Sequence, residues 1–286
     1  MVEVEDLEVV WPGRRDAALV NVSFEHQTGA LTVLGPSGSG KSTLIAALAT
    51  RVEPWAGSIR VRGRDALFDP LGVRREIGYV PQVIGLPLDL TLREYLEELA
   101  RLDGFGSEAP DRAEAATVAV NLQHAADRRL KAFSGGMKRR ALLAQALMRD
   151  PPVLLVDGPS AGLDPFEQIT VLELLRAVAE TRTVVMASQV VSEALAVPGR
   201  VLILQGGRVA GLMGTGDLAG VASGHVFELP WSFKNRVLGL TVVTGDPERI
   251  FVIGDSRPHQ VAREVEPTAE HGYLYTVWRS RQGWVS

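Results

Sequence analysis

Apolar and polar residues alternate near the start of the chain, and a short apolar run follows. Val20, Val22 and Phe24 are each separated by one polar residue, which is the two-residue period of a half-buried strand. Residues 31–34 are apolar and lead into a glycine-rich loop, and residues 42–50 have a helical composition. The pattern therefore predicts a strand, a glycine loop and a helix in that order.

The middle of the chain is predicted to be helical. Residues 91–102 and 111–126 are rich in Ala, Leu, Glu and Arg, which favour helices. A third helix is predicted to begin at Ser134, with an apolar stripe along one face. Three basic residues lie off this stripe: Lys138, Arg139 and Arg140. The stripe consists of residues at helical spacing: Met137, Ala141, Ala144 and Met148. We expect a helical insertion over about residues 88–150.

Strands and helices alternate again after residue 150. Residues 153–156 form a continuous apolar run, which is typical of a strand buried on both faces. A helix is predicted from Pro165, and two further apolar runs lie at 183–187 and 201–204. This alternation predicts an α/β fold with a mostly parallel sheet and crossover helices.

The pattern changes after Gly214. Short alternating runs at 240–243, 250–253 and 273–278 are interspersed with Gly and Pro. We expect a small α+β appendage over residues 214–286, in which no chemical motif is evident.

Composition and charge exclude several classes of function. The chain has 286 residues, a formal net charge of −4, no cysteine, and five histidines without metal-ligand spacing. The charge argues against a nucleic-acid partner, and the lack of cysteine excludes disulfides and thiolate catalysis. Residues 1–6 lack the basic start of a signal peptide, and no apolar stretch approaches the roughly 18 residues of a membrane span. We expect a cytoplasmic protein that acts at membranes only through a partner.

The glycine-rich loop matches the phosphate-binding pattern G-x-x-x-x-G-K-[ST]. Its residues are Gly35, Pro36, Ser37, Gly38, Ser39, Gly40, Lys41 and Ser42. The glycines let backbone N–H groups converge on phosphate oxygens, and the following helix adds the positive end of its dipole. Lys41 supplies a charge for the β- and γ-phosphates, and the Ser42 hydroxyl is suited to Mg²⁺. The alternative, a glycine turn before an ordinary helix, is disfavoured by the predicted strand–loop–helix context.

Two later motifs also contain residues suited to nucleotide chemistry. Asp157 ends the apolar run at 153–156, where a carboxylate can reach Mg²⁺; a chance capping Asp is the alternative. Gly135 and Gly136 open a helix and create an anion-accepting N-terminus, for which we expect no anion from the same chain. Alternatively, Ser134 is simply the N-cap of that helix.

Five motifs occur in the order and spacing of the ATP-binding subunits of ABC transporters, which this chain resembles. They are the phosphate loop at 35–42, the Q-loop at 79–82, the signature at 133–137, the Walker B strand at 154–157 and the D-loop at 160–164. The resemblance covers residues 1 to about 213, and a P-loop kinase or GTPase would match only the first motif. The signature and the stretch 266–273 resemble the drug and polyketide exporters that pair with ABC-2-type permeases.

The resemblance implies a P-loop NTPase (RecA-like) core over 1–213, with N-terminal antiparallel β strands and a helical subdomain at about 88–150. The appendage at 214–286 lies outside it. The resemblance also implies a head-to-tail dimer, in which each ATP lies between the phosphate loop of one chain and the signature of the other.

Site residues follow from the same resemblance. Trp11 would stack on adenine. The other implied ATP contacts within one chain are Gly35, Ser37, Gly38, Ser39, Gly40, Lys41, Ser42, Thr43, Gln82, Asp157 and Gln189. The implied Mg²⁺ contacts are Ser42, Gln82 and Asp157. The implied contacts with the partner's ATP are Ser134, Gly135, Gly136 and Met137, and Asp164 would lie at the dimer interface. Asp164 is also suited to be the N-cap of the next helix.

Two positions depart from the family pattern. Gly158 stands where the family has the Glu that acts as general base, and Gln189 stands where it has the His that contacts the γ-phosphate. Loss of a general base lowers the rate by about 10²–10⁴. We therefore expect intact Mg-ATP binding but poor hydrolysis, with no intact catalytic residue. Glu193 is a weaker candidate for a replacement carboxylate.

The leading hypothesis is an exporter subunit at the inner face of the cell membrane, bound to a membrane permease. It pairs with a second ATP-binding subunit, either an identical chain or a catalytically complete partner. Two alternatives are a competent homodimeric ATPase with an unorthodox base and a regulator outside transport that uses ATP to dimerise. Gly158 and Gln189 reflect either natural loss or engineering. The cargo is not encoded in these motifs.

Overall fold

The computed structural model describes residues 1–237, 241–246 and 248–283, which form three β-sheets and eight α-helices. The strands are β1 (Val2–Val9), β2 (Leu19–His26), β3 (Gly29–Leu34), β4 (Ala56–Val61), β5 (Arg64–Asp65), β6 (Ile77–Val80), β7 (Val153–Asp157), β8 (Thr183–Ser188), β9 (Gly199–Gln205), β10 (Arg208–Gly214), β11 (Val226–Pro230), β12 (Thr241–Asp246), β13 (Arg249–Ile253) and β14 (Arg263–Glu264). The helices are α1 (Lys41–Leu48), α2 (Pro70–Glu76), α3 (Leu92–Leu102), α4 (Ala109–Ala119), α5 (Gly135–Leu147), α6 (Pro165–Ala179), α7 (Val191–Ala196) and α8 (Ala269–Gly283).

The N-terminal sheet is antiparallel, with the strand order β2-β1-β4-β5. In β2, Val22 and Phe24 are buried whereas Asn21 and Ser23 are exposed, so the predicted alternation is confirmed. The buried face of this sheet shares a hydrophobic cluster with Leu31 of β3. The antiparallel sheet therefore packs against the central sheet.

The central sheet has six strands in the order β10-β9-β3-β8-β7-β6. The last five strands in that order are parallel, and β10 pairs with β9 in the antiparallel sense at one edge. Every residue of β7 and β8 is buried, as their continuous apolar runs predict. Because parallel strands share a direction, the carboxyl ends of β3, β6, β7 and β8 meet at one edge of the sheet.

Helices α3, α4 and α5 pack together in the middle of the chain. Thr91 and Glu94 form a capping box at the start of α3, where Thr91 Oγ1 accepts from the Glu94 N–H at 3.1 Å. The helix predicted over 111–126 is wrong in length, because α4 ends at Ala119. Asn121 has a φ of 55°, a left-handed conformation that ends helices.

A third sheet, with the order β12-β13-β11-β14, is antiparallel and is followed by α8. The alternating run at 273–278 lies in α8 rather than in a strand, because this helix buries residues on two sides. Tyr275 packs with Ile253 of the third sheet, whereas Val277 packs with Val201 of β9. Of the predicted run at 240–243, residue 240 lies outside the described residues.

Within residues 1–237, 241–246 and 248–283, no helix combines the length and the apolar character needed to cross a membrane.

Candidate functional site

Four chain segments meet at the carboxyl edge of the central sheet. The glycine loop follows β3, Gln82 follows β6, Asp157 ends β7, and Gln189 follows β8. The strand register places Leu34 opposite Ser188, and Asp157 opposite Ala187. This edge opens into a cavity of about 580 Å³, a size typical of ligand sites. The predicted residues that line it are Ser37, Gly38, Gly40, Lys41, Ser42, Thr43, Gln82, Asp157, Gly158 and Gln189.

The glycine loop is tightly curled, and two of its glycines have no permissible substitute. Gly40 has a φ of 102°, and a Cβ there would lie 2.6 Å from Leu19 Cδ2. A Cβ on Gly35 would lie 2.3 Å from the carbonyl oxygen of Leu204. Helix α1 begins directly after Gly40, so its first N–H groups point into the cavity.

Lys41 lines the cavity, whereas Ser39 is buried in the same loop and does not line it. Lys41 Nζ donates to the carbonyl oxygen of Pro36, in its own loop, at 2.8 Å. Burial lowers the pKa of Lys41 below its ordinary value, and the nearby charge of Asp157 offsets only part of this shift. The buried hydroxyl of Ser39 has no hydrogen-bond partner within the described part of the chain. The cationic side chain of Lys41 in a glycine cradle fits a polyphosphate.

Ser42 and Asp157 form a pair of oxygen donors suited to Mg²⁺. Ser42 Oγ donates to Asp157 Oδ1 at 3.1 Å. Burial raises the pKa of Asp157 above its ordinary value. The Ser42 hydrogen bond and the charges of Arg139 and Lys41 offset only part of this shift. Gln82 lines the same cavity and adds an amide oxygen. Hydroxyl, carboxylate and amide oxygens fit Mg²⁺, which prefers oxygen ligands and few carboxylates; bound there, the ion would neutralise phosphate charge.

Trp11 lies beside the loop-to-helix junction. Its indole Nε1 donates to Thr43 Oγ1 at 3.0 Å, and the side chain is 39% exposed. Trp11 does not itself line the cavity, whereas Thr43 does. The ring is thus partly exposed and adjoins the cavity lining through Thr43.

Position 158, where the family pattern has a Glu, is a glycine and has no side chain. Gly158 has a φ of 62°, and its N–H donates to the Ala187 carbonyl at 3.0 Å. Among the described residues that line the cavity, the carboxylates are Asp157 and Glu193. Glu193 is buried and accepts a hydrogen bond from the Ser160 hydroxyl. Glu193 is thus part of the cavity wall, where its carboxylate already has a partner.

Arg139 has a position that the sequence pattern did not predict. We expected it off the apolar stripe of α5, yet it is only 2% exposed. Its guanidinium donates to the carbonyl oxygens of Pro81, Asp157, Gly158 and Pro159. Arg139 therefore links the signature helix to the segment before Gln82 and to the end of β7. A basic residue among basic neighbours gave no local signal of this burial.

The signature residues lie apart from the cavity of their own chain. Ser134 is the N-cap of α5, and its Oγ accepts from the Met137 N–H at 3.1 Å. The expectation that this helix start holds no anion of its own chain is wrong. Glu167 Oε1 accepts from Ser134 Oγ at 2.5 Å, and Glu167 Oε2 accepts from the Gly136 N–H at 2.8 Å.

Asp164 has the capping role that its position predicts. Its carboxylate accepts from the N–H groups of Phe166 and Glu167 at 2.9 and 3.0 Å, at the start of α6. The cap orients the first turn of α6, and Glu167 lies in that turn. The contact between Glu167 and the signature therefore depends on a well-defined helix start.

Comparison with known proteins identifies the family. Residues 19–161 match the family described as ABC transporter. The daunorubicin/doxorubicin resistance ATP-binding protein DrrA of Streptomyces peucetius is 36% identical over 232 residues, 80% of this chain and 69% of that protein. The Nod factor export ATP-binding protein I of Neorhizobium galegae is 32% identical over 279 residues, 95% of this chain and 75% of that protein.

A solved structure agrees with these sequence relatives. The ATP-binding cassette MJ0796, in a dimeric post-hydrolysis state bound to ADP and phosphate, superposes with a TM-score of 0.68 at 26% identity. The superposition covers 75% of this chain and 99% of that one. The predicted fold class, a P-loop NTPase core in a mixed α/β chain, is confirmed. This chain belongs to the ABC transporter family and is an ATP-binding subunit of it.

Proposed function

We propose that this chain binds Mg-ATP at the carboxyl edge of its central sheet and closes head to tail with a second ATP-binding subunit. One observation carries this proposal: Lys41, Ser42, Gln82 and Asp157 converge on one cavity, which the signature residues do not line. A phosphate loop alone leaves one side of the nucleotide exposed to water, which weakens its charge interactions. A second chain that presents its signature helix would complete the site.

The roles of the residues follow from this arrangement. The loop N–H groups and Lys41 hold the β- and γ-phosphates, and Ser42, Gln82 and Asp157 hold Mg²⁺. Trp11 stacks on adenine. The contacts to the ATP of the partner chain come from Ser134, Gly135, Gly136 and Met137, and Asp164 faces the partner at the D-loop.

Hydrolysis at this site is slow in the proposed mechanism. Gly158 offers no base to the attacking water, and Gln189 donates a hydrogen bond but carries no charge. The chain then acts mainly through binding and closure. In a heterodimer, its signature would complete the active site of a catalytically complete partner.

The relatives favour outward transport. DrrA is named for drug resistance and the Nod factor protein for export. We propose that this chain likewise drives a membrane permease from the inner face of the cell membrane, without nucleic acid as a partner. Residues 1–213 are the ATP-binding unit, with the helical subdomain at about 88–150, and residues 214–286 are an accessory unit.

Calorimetry of Mg-ATP binding tests the nucleotide site directly. We expect micromolar to sub-millimolar affinity, which corresponds to about −4 to −8 kcal/mol. Lys41→Ala should weaken binding strongly, because it removes the cation beside the phosphates. Lys138→Ala, a change of a basic residue outside the cavity, is the matched control. Equal affinity in wild type and Lys41→Ala would show that the phosphates bind elsewhere.

A competent ATPase is the second candidate, because Glu193 places another carboxylate in the cavity wall. Turnover of the purified chain separates the two. Slow turnover that Glu193→Gln leaves unchanged supports the binding-and-closure function. Fast turnover that Glu193→Gln abolishes would instead identify Glu193 as the base. Copurification of a permease distinguishes a transporter subunit from a regulator outside transport.

A further inference from the structure

The anion-accepting start of the signature helix is occupied by a carboxylate of the same chain. Glu167 lies in the first turn of α6, and both of its carboxylate oxygens bind α5: one the Ser134 hydroxyl, the other the Gly136 N–H. The two contacts, at 2.5 and 2.8 Å, have the short distances of charge-assisted hydrogen bonds. The carboxylate therefore makes the contacts that an anionic ligand would make at this helix start.

The absence of a side chain at position 136 makes this contact possible. A Cβ on Gly136 would lie 2.2 Å from Glu167 Cδ and 2.6 Å from Glu167 Cγ. The carboxyl group thus lies directly over the first turn of α5, in the space that a larger residue would fill. A phosphate oxygen that approached the Gly136 N–H would need the same space.

The two occupants differ in charge and in origin. Glu167 is held close by its own helix start, so its effective concentration at the signature is high. A γ-phosphate carries more charge and more acceptor oxygens, so it is the stronger ligand for the same donors. When the γ-phosphate replaces the Glu167 carboxylate, the donors at the start of the signature helix exchange a contact within one chain for a contact between two chains.

We propose that Glu167 is an internal gate: its carboxylate occupies the Ser134–Gly136 anion site in the open chain and must leave before the partner's γ-phosphate binds there. This inference rests on the proposed head-to-tail closure. In the free chain the gate satisfies the donors of the signature and opposes closure without nucleotide. ATP on the partner displaces the carboxylate and is thereby required for assembly.

The first test examines the gate in one chain, with inorganic phosphate as the probe. The Lys41→Ala background removes the main phosphate-binding cation, and ¹⁵N-glycine labelling reports on the Gly136 amide. We expect Glu167→Ala to bind phosphate at Gly136 at a concentration about tenfold lower than the Lys41→Ala parent, equivalent to ~1.4 kcal/mol. Equal concentrations, or no response of Gly136 in either chain, would overturn the gate.

The second test examines closure by sedimentation in saturating Mg-ATP. Glu167→Ala should lower the dissociation constant of the dimer about tenfold. Glu167→Gln should have an intermediate effect, because its amide oxygen still accepts from Gly136 but carries no charge. Glu173→Ala removes an exposed carboxylate from the same helix and is the matched control. Thermal melting of each variant checks that all are folded.

The outcomes separate the gate from the closure on which it rests. A wild-type dimer that Glu167→Ala and Glu167→Gln leave unchanged would overturn the gate and leave the sandwich intact. Competition between Glu167 and phosphate in the single chain, without a dimer in any variant, would support occupation of the anion site by Glu167. That result would count against head-to-tail closure of two identical chains.

Discussion

Gly158 lies against Gln82: a Cβ built on Gly158 would stand 3.6 Å from Gln82 Cγ and 3.5 Å from Ala161 Cβ. Both separations are ordinary van der Waals contacts, so a longer side chain has room at its base. Gly158 has a φ of 62°, however, and a residue with a side chain is strained in this left-handed region by about 1–2 kcal/mol. A carboxylate at position 158 is thus compatible with the cavity but lowers stability modestly.

We predict that Gly158→Glu combined with Gln189→His raises ATP turnover by about 10²-fold, the lower end of the contribution of a general base. The two changes should act together, because catalytic residues that form a unit are non-additive. A steady-state phosphate-release assay measures the effect.

Gly158→Gln is the matched control for that experiment. It imposes the same backbone strain and nearly the same volume without a carboxylate, so its turnover should remain at the starting rate. A double variant that is no faster than Gly158→Gln would show that another step limits turnover.

Removal of Mg²⁺ should expose the role of the Ser42–Asp157 pair. We predict that Asp157→Asn weakens Mg-ATP binding by about 10- to 100-fold, as expected for an interaction with a charged group worth about 1.5–3 kcal/mol. In EDTA, Asp157→Asn should bind ATP at least as tightly as wild type, because the loop and Lys41 are unchanged and a carboxylate that repels phosphate is removed. Asp111→Asn, on the exposed face of α4, is the control. An equal loss with and without Mg²⁺ would contradict the metal role.

Arg139 should be a major determinant of stability. We predict that Arg139→Met lowers the free energy of unfolding by roughly 2–4 kcal/mol, because it leaves several buried carbonyl oxygens without their donor. Arg139→Lys should recover only part of the loss, since an ammonium cannot reproduce the planar fork of a guanidinium. Urea denaturation measures both, with Lys138→Met on the same helix as control. A loss no larger than that of Lys138→Met would contradict this role.

The contacts that the sequence predicted are those that follow from local patterns along the chain. Ser42 and Asp157 are 115 positions apart, yet their contact follows from two local patterns and one rule. Each residue follows or ends a buried strand, and parallel strands carry their carboxyl ends to one edge. The N-cap roles of Ser134 and Asp164 are local in the same way, because each depends on the next three residues.

The contacts of Arg139 and Glu167 depend instead on the packing of α5 against other elements. Arg139 lies in a run of three basic residues, where the pattern predicts a solvated face, and its carbonyl partners come from two segments, one after β6 and one at the end of β7. Glu167 lies in the first turn of α6, where an acidic residue is explained by its own helix dipole. The glycine pair at 135–136 did indicate an anion, but no local pattern identifies Glu167 as its source.

The most direct test of the account is cross-linking between chains. The native chain has no cysteine, so Ser37→Cys with Ser134→Cys places two thiols on a clean background, at exposed positions in the phosphate loop and the signature. Under mild oxidation, with the permease supplied and with the two equivalent cysteines placed in any second ATP-binding subunit, we predict a disulfide-linked dimer that forms with Mg-ATP and not without it. Each single-cysteine chain should form no disulfide-linked dimer. A cross-link that is indifferent to nucleotide, or none under any of these conditions, would contradict head-to-tail closure around ATP.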